Sequence, residues 1–270
     1  MRFVVCIIMS MVVFASWPGE SLATDGVNEE NKGKRPMIST RLFLEQTERA
    51  DIDGTDTSIG YTEFSAGLEW QFILFDIDHR EYHWRNSASF GVDPGLYPWE
   101  TLTRIAPGLQ YYSELFNKWG LWFKFVAISG FEDDISLQSW TYNPQVLGFY
   151  RYTQRIALYS GIGILYHPVE SDPYPVFGIY WNMESKDGFS GAVGFPATRV
   201  RYGFNEKVAL KINYEFDIRT YHLAQNNVLA PEGYVRIEDL KPSIHVEWNL
   251  LEELTLSLGI RLYVSRSMTV

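Results

Sequence analysis

Apolar and polar residues alternate with a period of two along most of the chain from residue 38 onward. Between 208 and 218 every even position is apolar, and most odd positions carry a charged or amide side chain. The segments 63–74, 81–92, 239–249 and 254–264 alternate in a similar way. Successive side chains of a strand point to opposite faces, so the pattern predicts strands with one apolar and one charged face. No segment keeps the period of about 3.6 that a helix needs, and we predict an all-β fold.

Weaker alternation brings the expected number of strands to about twelve. These weaker segments are 38–47, 101–113, 119–129, 139–152, 156–166, 175–184 and 189–204. The last of them changes phase at Pro196, where the apolar positions switch from odd to even. Either a bulge reverses the phase inside one long strand, or a turn separates two short strands. One long strand is the preferred interpretation.

Short polar turns alternate with longer acidic or proline-containing loops. The short turns lie at 117–118, 153–155, 185–188, 205–207 and 252–253, and the longer loops at 48–57, 130–138, 167–174 and 220–233. Short turns at one rim and long loops at the other are typical of a bacterial transmembrane barrel.

The depth of the apolar faces favours a membrane barrel over a soluble β protein. Many faces run about six apolar residues deep, which suits the roughly 9–11 residues of a tilted membrane-spanning strand. Tryptophan and tyrosine recur near the expected strand ends, as an aromatic girdle requires; examples are Trp99, Trp119, Trp140, Tyr152, Tyr166, Trp181 and Trp248. We predict a single transmembrane antiparallel up-and-down β-barrel, and a soluble exported β-barrel binding protein is the second alternative.

The N-terminus has the features of a secretory signal. Arg2 precedes an almost unbroken apolar run from Phe3 to Phe14, and small residues lie before a cleavage point after Ala23. The expected organisation is a signal peptide over 1–23, a flexible periplasmic leader over 24–37 and an outer-membrane β-barrel over 38–270. Cys6, the single cysteine, would leave with the signal, which excludes disulfides and thiol chemistry in the mature chain.

Charge and composition exclude several classes of function. The formal net charge is −10, which argues against a nucleic-acid partner. Aromatic residues make up 16% of the chain, and such amphipathic rings favour a boundary between water and lipid. We expect no cofactor and no metal, because the histidines show no metal-ligand spacing.

The strand and short-turn units, together with the signal sequence, resemble those of uncharacterised families of bacterial outer-membrane β-barrel proteins. One such unit is Tyr202-Gly203-Phe204-Asn205-Glu206-Lys207-Val208-Ala209-Leu210. The resemblance covers nearly all of the mature chain and implies the bacterial outer membrane as location, with membrane lipid and the barrel-assembly machinery as partners. Many members end on a strand with a terminal aromatic residue, whereas this chain continues past Tyr263 to Val270.

The inward charged residues are the candidate site. They would set ion selectivity in a wide lumen, or pair with one another and plug a narrow one. The expected function is therefore a narrow passive channel for small polar solutes or a structural barrel, without catalysis. The lumen-facing candidates are Lys211, Glu215, Asp217, Arg219, Asp239, Lys241, His245, Glu247 and Arg261, in a wider set with Arg41, Glu45, Glu63, Glu69, His83, Arg85, Arg104, Glu114, Lys124 and Arg151.

Two motifs are weaker candidates for chemistry. Ser243, His245 and Glu247 share one strand face and suggest a lipid hydrolase or deacylase as the alternative function. Residues two apart on a strand are about 6.5–7 Å apart, too far for a nucleophile and its base, so a polar strand face is preferred. The segment Asp51–Asp56 has the oxygen spacing of half a calcium loop but lacks the glutamate that completes such a site.

Overall fold

The computed structural model describes residues 4–8, 14–15, 39–47, 49–51, 56–90, 92–93, 95–182, 187–251 and 254–270. Most of the predicted signal segment, and all of the predicted leader at 24–37, lie outside these described residues. The calcium-like segment lies largely outside them as well, because 52–55 are not described.

The described residues form one sheet of seventeen strands, most of them antiparallel to their neighbours. The strands are β1 (Val4–Ile8), β2 (Phe14–Ala15), β3 (Ser39–Gln46), β4 (Ala50–Asp51), β5 (Ser58–Trp70), β6 (Ile73–Arg85), β7 (Thr101–Phe116), β8 (Trp119–Phe131), β9 (Trp140–Arg151), β10 (Ile156–Tyr166), β11 (Ser171–Trp181), β12 (Gly188–Phe195), β13 (Ala197–Gly203), β14 (Val208–His222), β15 (Tyr234–Leu251), β16 (Leu254–Tyr263) and β17 (Ser265–Thr269). Two short 3₁₀ turns, Ser87–Phe90 and Leu137–Ser139, lie between strands. The predicted all-β class is confirmed. Among the residues that the structure describes, no helix is long and apolar enough to cross a membrane.

The strands follow one another as antiparallel neighbours from β5 to β16. Their connections define two rims. The turn rim is the rim at which β5 is followed by β6, β7 by β8, β9 by β10 and β13 by β14, through the short connections 71–72, 117–118, 152–155 and 204–207. The loop rim is the opposite rim, with the longer connections between β6 and β7, β8 and β9, and β14 and β15. The predicted alternation of short turns and long loops agrees with this arrangement, although 185–186 and 252–253 of the predicted turns lie outside the described residues.

A ring of seven strands is closed where β14 meets β8. The two strands pair in parallel at His222 and Phe131, and the Glu132 N–H donates to the His222 carbonyl at 3.0 Å. The ring therefore runs from β8 through to β14. Outside it, the sheet continues from β8 through β7, β6 and β5 to β3, and from β14 through β15 to β16. We call the space inside the ring the ring interior, and the space between β3–β7 and β14–β16 the charged interior.

The predicted strand over 63–74 is wrong, because the chain turns at Gln71 and Phe72. β5 ends at Trp70 and β6 begins at Ile73, with Gln71 at a φ of 52°. Apolar residues on both sides hide this turn from any pattern based on polarity. The same turn explains why Ile73 interrupts the alternation, since it is the first residue of a new strand.

The preferred single strand over 189–204 is also wrong. β12 and β13 are two short antiparallel strands joined at Pro196, whose peptide bond to Phe195 is cis. This hairpin, together with short strands such as β4 and β17, gives more strand segments than the twelve that the alternation predicts.

The barrel wall has a gap on the loop-rim side of this hairpin. Within the described part of the chain, β12 pairs with β11 only from Phe177 onward, so no strand pairs with Ser171–Val176 on that side. Two of the exposed edge positions are Pro173 and Pro175. Proline has no N–H to leave unpaired and is therefore tolerated on an edge strand, where it also blocks pairing with a further strand.

The C-terminal residues beyond Tyr263 continue the sheet. β17 pairs with the loop-rim half of β15, while β16 pairs with its turn-rim half. The Val264 N–H donates to the Leu240 carbonyl at 3.1 Å between the two segments. The chain after Tyr263 therefore adds to the wall.

Apolar side chains cover much of the outside of the barrel. Exposed large apolar residues come from most strands, for example Leu44, Phe64, Phe75, Leu109, Phe123, Val146, Ile162, Phe177, Val193, Ile212, Ile244 and Leu258. Buried charged residues lie on the opposite faces, for example Glu63, Arg80, Asp239 and Lys241. This is the reverse of a soluble barrel, which places its apolar residues inside.

Candidate functional site

Ten charged side chains fill the charged interior, and we call them the ion-pair core. They are Glu45, Glu63, Asp78, Asp217 and Asp239 with Arg80, Arg104, Arg219, Lys241 and Arg261. β3, β5, β6 and β7 contribute one half of the core, and β14, β15 and β16 contribute the other half. Strand alternation places these residues inside, because the chain neighbours of all but Arg80 include an outward apolar residue, and those of Arg80 are the exposed His79 and Glu81.

Glu63 lies near the centre of the core. Its Oε2 is 2.6 Å from Arg80 Nε, and its Oε1 is 3.4 Å from Arg219 Nη1. The Arg80 and Glu63 side chains are only 1% and 3% exposed. A buried ion pair of this kind compensates its desolvation fully only when its remaining donors are also satisfied. The contact through Nε is short, but Nη1 and Nη2 of Arg80 are buried without a hydrogen-bond partner among the described residues.

Further ion pairs lie within each half of the core, and the pair between Arg261 and Glu45 joins the two halves. Arg219 Nε is 2.6 Å from Asp217, which also contacts Lys241. Arg104 is 2.5 Å from Asp78. On the other side of the core, Arg261 contacts Glu45, whose Oε1 also accepts a hydrogen bond from Tyr263 at 2.5 Å.

The charges of the ion-pair core balance, because five carboxylates face five cations. Core residues such as Arg80, Asp239 and Lys241 are at most 3% exposed, so water reaches little of their surface. An open, ion-selective lumen would leave its charged side chains in contact with water. The arrangement therefore closes this part of the barrel.

An aromatic cluster covers the core on its loop-rim side. Trp84, Trp99, Leu102, Leu223 and Val235 are among its buried members. The Trp84 indole N–H donates to the Trp99 carbonyl at 2.6 Å, which holds the 86–100 connection against β6. The interior is thus closed by apolar packing above the ion pairs.

Hydrogen bonds connect three loop-rim connections over this cluster, those between β6 and β7, β8 and β9, and β14 and β15. Asn227 donates through Nδ2 to the Pro98 carbonyl at 2.5 Å and to Glu132 Oε2 at 2.8 Å. Glu132 also accepts from the Ala224 N–H at 2.9 Å. Burial raises the pKa of Glu132 above its ordinary value of 4.5, although the hydrogen bonds that it accepts from Ala224 and Asn227 lower it. Asp133 and Glu100 add to the increase because they are nearby negative charges.

We expect this loop contact to weaken as the pH rises. A carboxyl whose pKa is raised in the folded state stabilises fully below its ordinary pKa of 4.5 and loses that contribution as the pH rises through the raised value. Cleavage of the 132–139 loop by a protease, normalised to a peptide of the same sequence, should therefore accelerate toward about pH 7.5. Glu132→Gln keeps an acceptor oxygen and should remove this acceleration, whereas Asp134→Asn, at an exposed neighbour, should retain it. Equal pH dependence in both variants would contradict the role of Glu132.

The ring interior is filled differently. Leu147, Phe149, Tyr159 and Val176 are buried there, and Tyr112, Trp122, Tyr174 and Tyr180 pack against them. The Tyr174 ring lies against Gly163, where an added Cβ would collide with it. The Tyr174 hydroxyl donates to Asn143 at 2.8 Å and accepts from Gln145 at 2.8 Å.

Five of the nine lumen-facing candidates belong to the ion-pair core, namely Asp217, Arg219, Asp239, Lys241 and Arg261. Glu247 and Lys211 form a separate cluster nearer the turn rim, where Glu247 contacts Lys211 and Arg201 at 3.2 Å each. His245 is buried beside Gly259. Glu215 is exposed and makes no ion pair among the described residues.

The inward assignment of His83 and Arg85 is wrong. On β6 the buried residues are Asp78, Arg80, Tyr82 and Trp84, so the opposite face points outward. His83 is bonded on that outer face to Thr62, at 3.2 Å between Nε2 and Oγ1. Near the loop rim the aromatic residues Tyr82 and Trp84 point into the interior. The sequence pattern assigned such apolar residues to the outer face and therefore placed His83 and Arg85 inside.

Sequence reasoning missed Asp78 and Arg80 because it overlooked the turn at 71–72. Both lie in the stretch between the predicted strands 63–74 and 81–92, which is part of β6. Recognising the turn at 71–72 would have extended the alternation through 73–85 and placed both residues on one face with Tyr82.

Ser243, His245 and Glu247 do not form a catalytic triad. The Ser243 hydroxyl accepts from Asn213 Nδ2 at 3.3 Å, and Glu247 is held by Arg201 and Lys211. Within the described part of the chain, His245 makes no hydrogen bond to either residue. A nucleophile needs a base within hydrogen-bond reach, which this geometry does not provide. Among the described residues, no three His, Cys, Asp or Glu side chains are grouped so as to hold a metal ion.

Comparisons with known proteins returned no match, whether against protein-family models, curated proteins or solved structures.

Proposed function

We propose that this chain is a β-barrel of the bacterial outer membrane and that its own side chains seal most of its interior. In this proposal the protein is a structural barrel that anchors its loops at the membrane, and it is not an open pore. Outer-membrane lipid is its surrounding partner, and the barrel-assembly machinery inserts it.

The observation that carries the membrane proposal is the exposed apolar outer face. Leucine, isoleucine, valine and phenylalanine side chains from strands all around the barrel are about half exposed, for example Phe64, Leu109, Ile162 and Ile244. Soluble monomers rarely expose apolar patches larger than a few hundred Å². A surrounding bilayer would bury these side chains, and paired strands leave few backbone groups unsatisfied in lipid.

The observation that supports a sealed interior is the balanced ion-pair core beneath the aromatic cluster. The competing channel function draws on three inward residues near the turn rim, Arg41, Arg199 and Glu215, which remain exposed. These residues do not connect to the loop rim, because the aromatic cluster closes that side of the charged interior. We therefore favour the sealed barrel over the solute channel, and the missing triad geometry disfavours the hydrolase.

Membrane fractionation tests the location. We expect the full chain to co-sediment with outer-membrane markers in a density gradient and to need detergent for extraction, because water cannot solvate its apolar outer face. Release into buffer without detergent would contradict the membrane proposal and favour a soluble exported protein.

Planar bilayers test the sealed interior. We expect the refolded protein to insert without steady conductance, because ion pairs and aromatic side chains fill the path. A variant in which an Asn-Gly turn replaces 223–233 is a matched comparison, since it removes Leu223 and part of the aromatic cluster but keeps the β14–β15 hairpin and the ion-pair core. Discrete current steps from the unchanged chain would contradict the sealed barrel and favour a narrow channel.

A further inference from the structure

The gap in the barrel wall lies between β11 and β14, because the β12–β13 hairpin that separates them is short. β12 pairs with β11 only from Phe177 onward, and β13 pairs with β14 only up to Glu215. Nearer the loop rim, β14 meets β8 at His222. No described strand pairs with 171–176 of β11 or with 216–221 of β14 on the sides that face this opening. We call the opening between these two segments the wall gap.

The backbone of β11 offers few hydrogen-bond donors to the wall gap. His167 and Glu170 exchange two backbone hydrogen bonds, at 2.9 and 3.1 Å. Hydrogen-bonded and non-hydrogen-bonded pairs alternate along antiparallel strands. Counted from this pair, Ser171, Pro173 and Pro175 belong to non-hydrogen-bonded pairs with β10, so their backbone groups point into the wall gap. Two of these three residues are prolines, which have no N–H.

This backbone favours an apolar neighbour over a further strand. An N–H group that lies in hydrocarbon without an acceptor costs free energy, and Pro173 and Pro175 present none. The same two residues cannot donate to an added strand, so the edge is a poor template for pairing with another chain. A hydrocarbon chain, which has no hydrogen-bond acceptor, is the neighbour that this edge accommodates without an unsatisfied donor.

The side chains at the turn-rim end of the wall gap are apolar. Phe177, Phe195 and Phe216 stack in a row, with ring centroids 6.4 and 6.3 Å apart. Ile218 is half-buried and follows Phe216 on the same face of β14. That face continues to Ile212, which is 46% exposed on the outside of the barrel. The apolar lining of the wall gap is therefore continuous with the apolar outer face.

An ionic contact spans the loop-rim end of the wall gap. Arg236 of β15 places Nη1 2.8 Å from Glu170 and 2.7 Å from Asp172, and its Nε is 2.8 Å from Glu238. These contacts tie the start of β11 to β15. A molecule that enters the wall gap therefore approaches from the side of the barrel, where the proposed bilayer lies.

We propose that one acyl chain of a membrane lipid occupies the wall gap, between the two prolines of β11 and Ile218 of β14. The inference rests on the proposed membrane location and adds a specific lipid site to it. A chain in the wall gap contacts protein on both sides, whereas a chain on the closed wall contacts protein on one side only. Dispersion contacts add up over the length of a chain, so we expect this lipid to exchange for detergent more slowly than its neighbours.

Native mass spectrometry tests the site on the full chain, reconstituted in phosphatidylethanolamine and phosphatidylglycerol vesicles and then transferred to detergent. We expect one retained phospholipid per chain. Ile218→Trp fills the wall gap and should lower the retained fraction roughly tenfold, because a filled space cannot also accept the chain. Ile244→Trp makes the same substitution at an exposed position of the outer face of β15 and should retain the lipid as the unchanged chain does.

Two results would overturn the proposal: no phospholipid retained by the unchanged chain, or equal retention by Ile218→Trp and Ile244→Trp. If Ile218→Trp fails to fold, the double variant Pro173→Ala/Pro175→Ala decides, since it points two N–H donors into the wall gap. We expect severalfold lower retention from it and none of this loss from Pro144→Ala, at an exposed proline of β9 outside the wall gap. Retention as high in the double variant as in Pro144→Ala would count against the site.

The two proposals fail in different ways. Normal outer-membrane fractionation without a retained phospholipid would reject the acyl-chain site alone. Release of the chain into buffer without detergent would reject the membrane location from which the site follows.

Discussion

Replacing Glu63 with glutamine should destabilise the barrel by about 3–5 kcal/mol, the cost of leaving a buried charge without its partner. The substitution keeps the shape of the side chain but removes the carboxylate that faces Arg80 at 2.6 Å. Of the described carboxylates, Arg80 would retain Asp239 alone, at 4.0 Å, and water cannot replace the lost charge because Arg80 is 1% exposed. The free energy of unfolding in denaturant, measured on the folded barrel in detergent, gives the result.

Two controls separate charge burial from loss of contacts. The double variant Glu63→Met/Arg80→Met removes both charges and should cost less than Glu63→Gln alone, because neither charge is left buried. Arg41→Met breaks an ion pair whose side chains are 54% and 38% exposed and should cost at most about 1 kcal/mol. If Glu63→Gln proved as mild as Arg41→Met, the ion-pair core would not hold the barrel closed.

Placing a lysine at Ile162 should cost about 2–4 kcal/mol if the strand crosses a bilayer near its middle. Ile162 is 52% exposed on the outer face, halfway along β10. In a soluble protein the same exposed position would accept a lysine within roughly 0.5 kcal/mol. The stability of Ile162→Lys in lipid vesicles therefore distinguishes a membrane-facing wall from a water-facing one.

Leu137→Lys is the matched control for this substitution. Leu137 is 92% exposed in the loop-rim connection between β8 and β9, outside the apolar part of the wall. It should tolerate lysine with little change in the free energy of unfolding. Equal and small effects at both positions would argue that water, rather than lipid, surrounds β10.

Local patterning was sufficient to predict several strands closely. The expected segment 156–166 coincides with β10, and 208–218 lies within β14. Polar turns bound both strands, and in 208–218 the period of two also shows which face each residue is on. The pattern failed where the two turn residues, Gln71 and Phe72, continue the alternation of the strand before them, and where aromatic residues fill the interior, as at Tyr82 and Trp84.

Proline at 196 shows a second limit of local reasoning. A change of phase fits a bulge or a turn equally well, because both shift the alternation by one residue. Only the pairing of β12 with β13 decides between them. The short hairpin then leaves the gap beside Pro173 and Pro175, which no pattern within a single strand predicts.

The sequence by itself determined the class of the fold and, for most strands, which side chains share a face. It placed Asp217, Arg219 and Lys241 on one charged face because a strand repeats every two residues. The tertiary structure alone decided which charges meet, since Glu63 and Arg219 are 156 residues apart and belong to strands that are not neighbours. Whether an inward charge finds a partner depends on how the sheet closes, and the closure at His222 and Phe131 brings the two halves of the ion-pair core together.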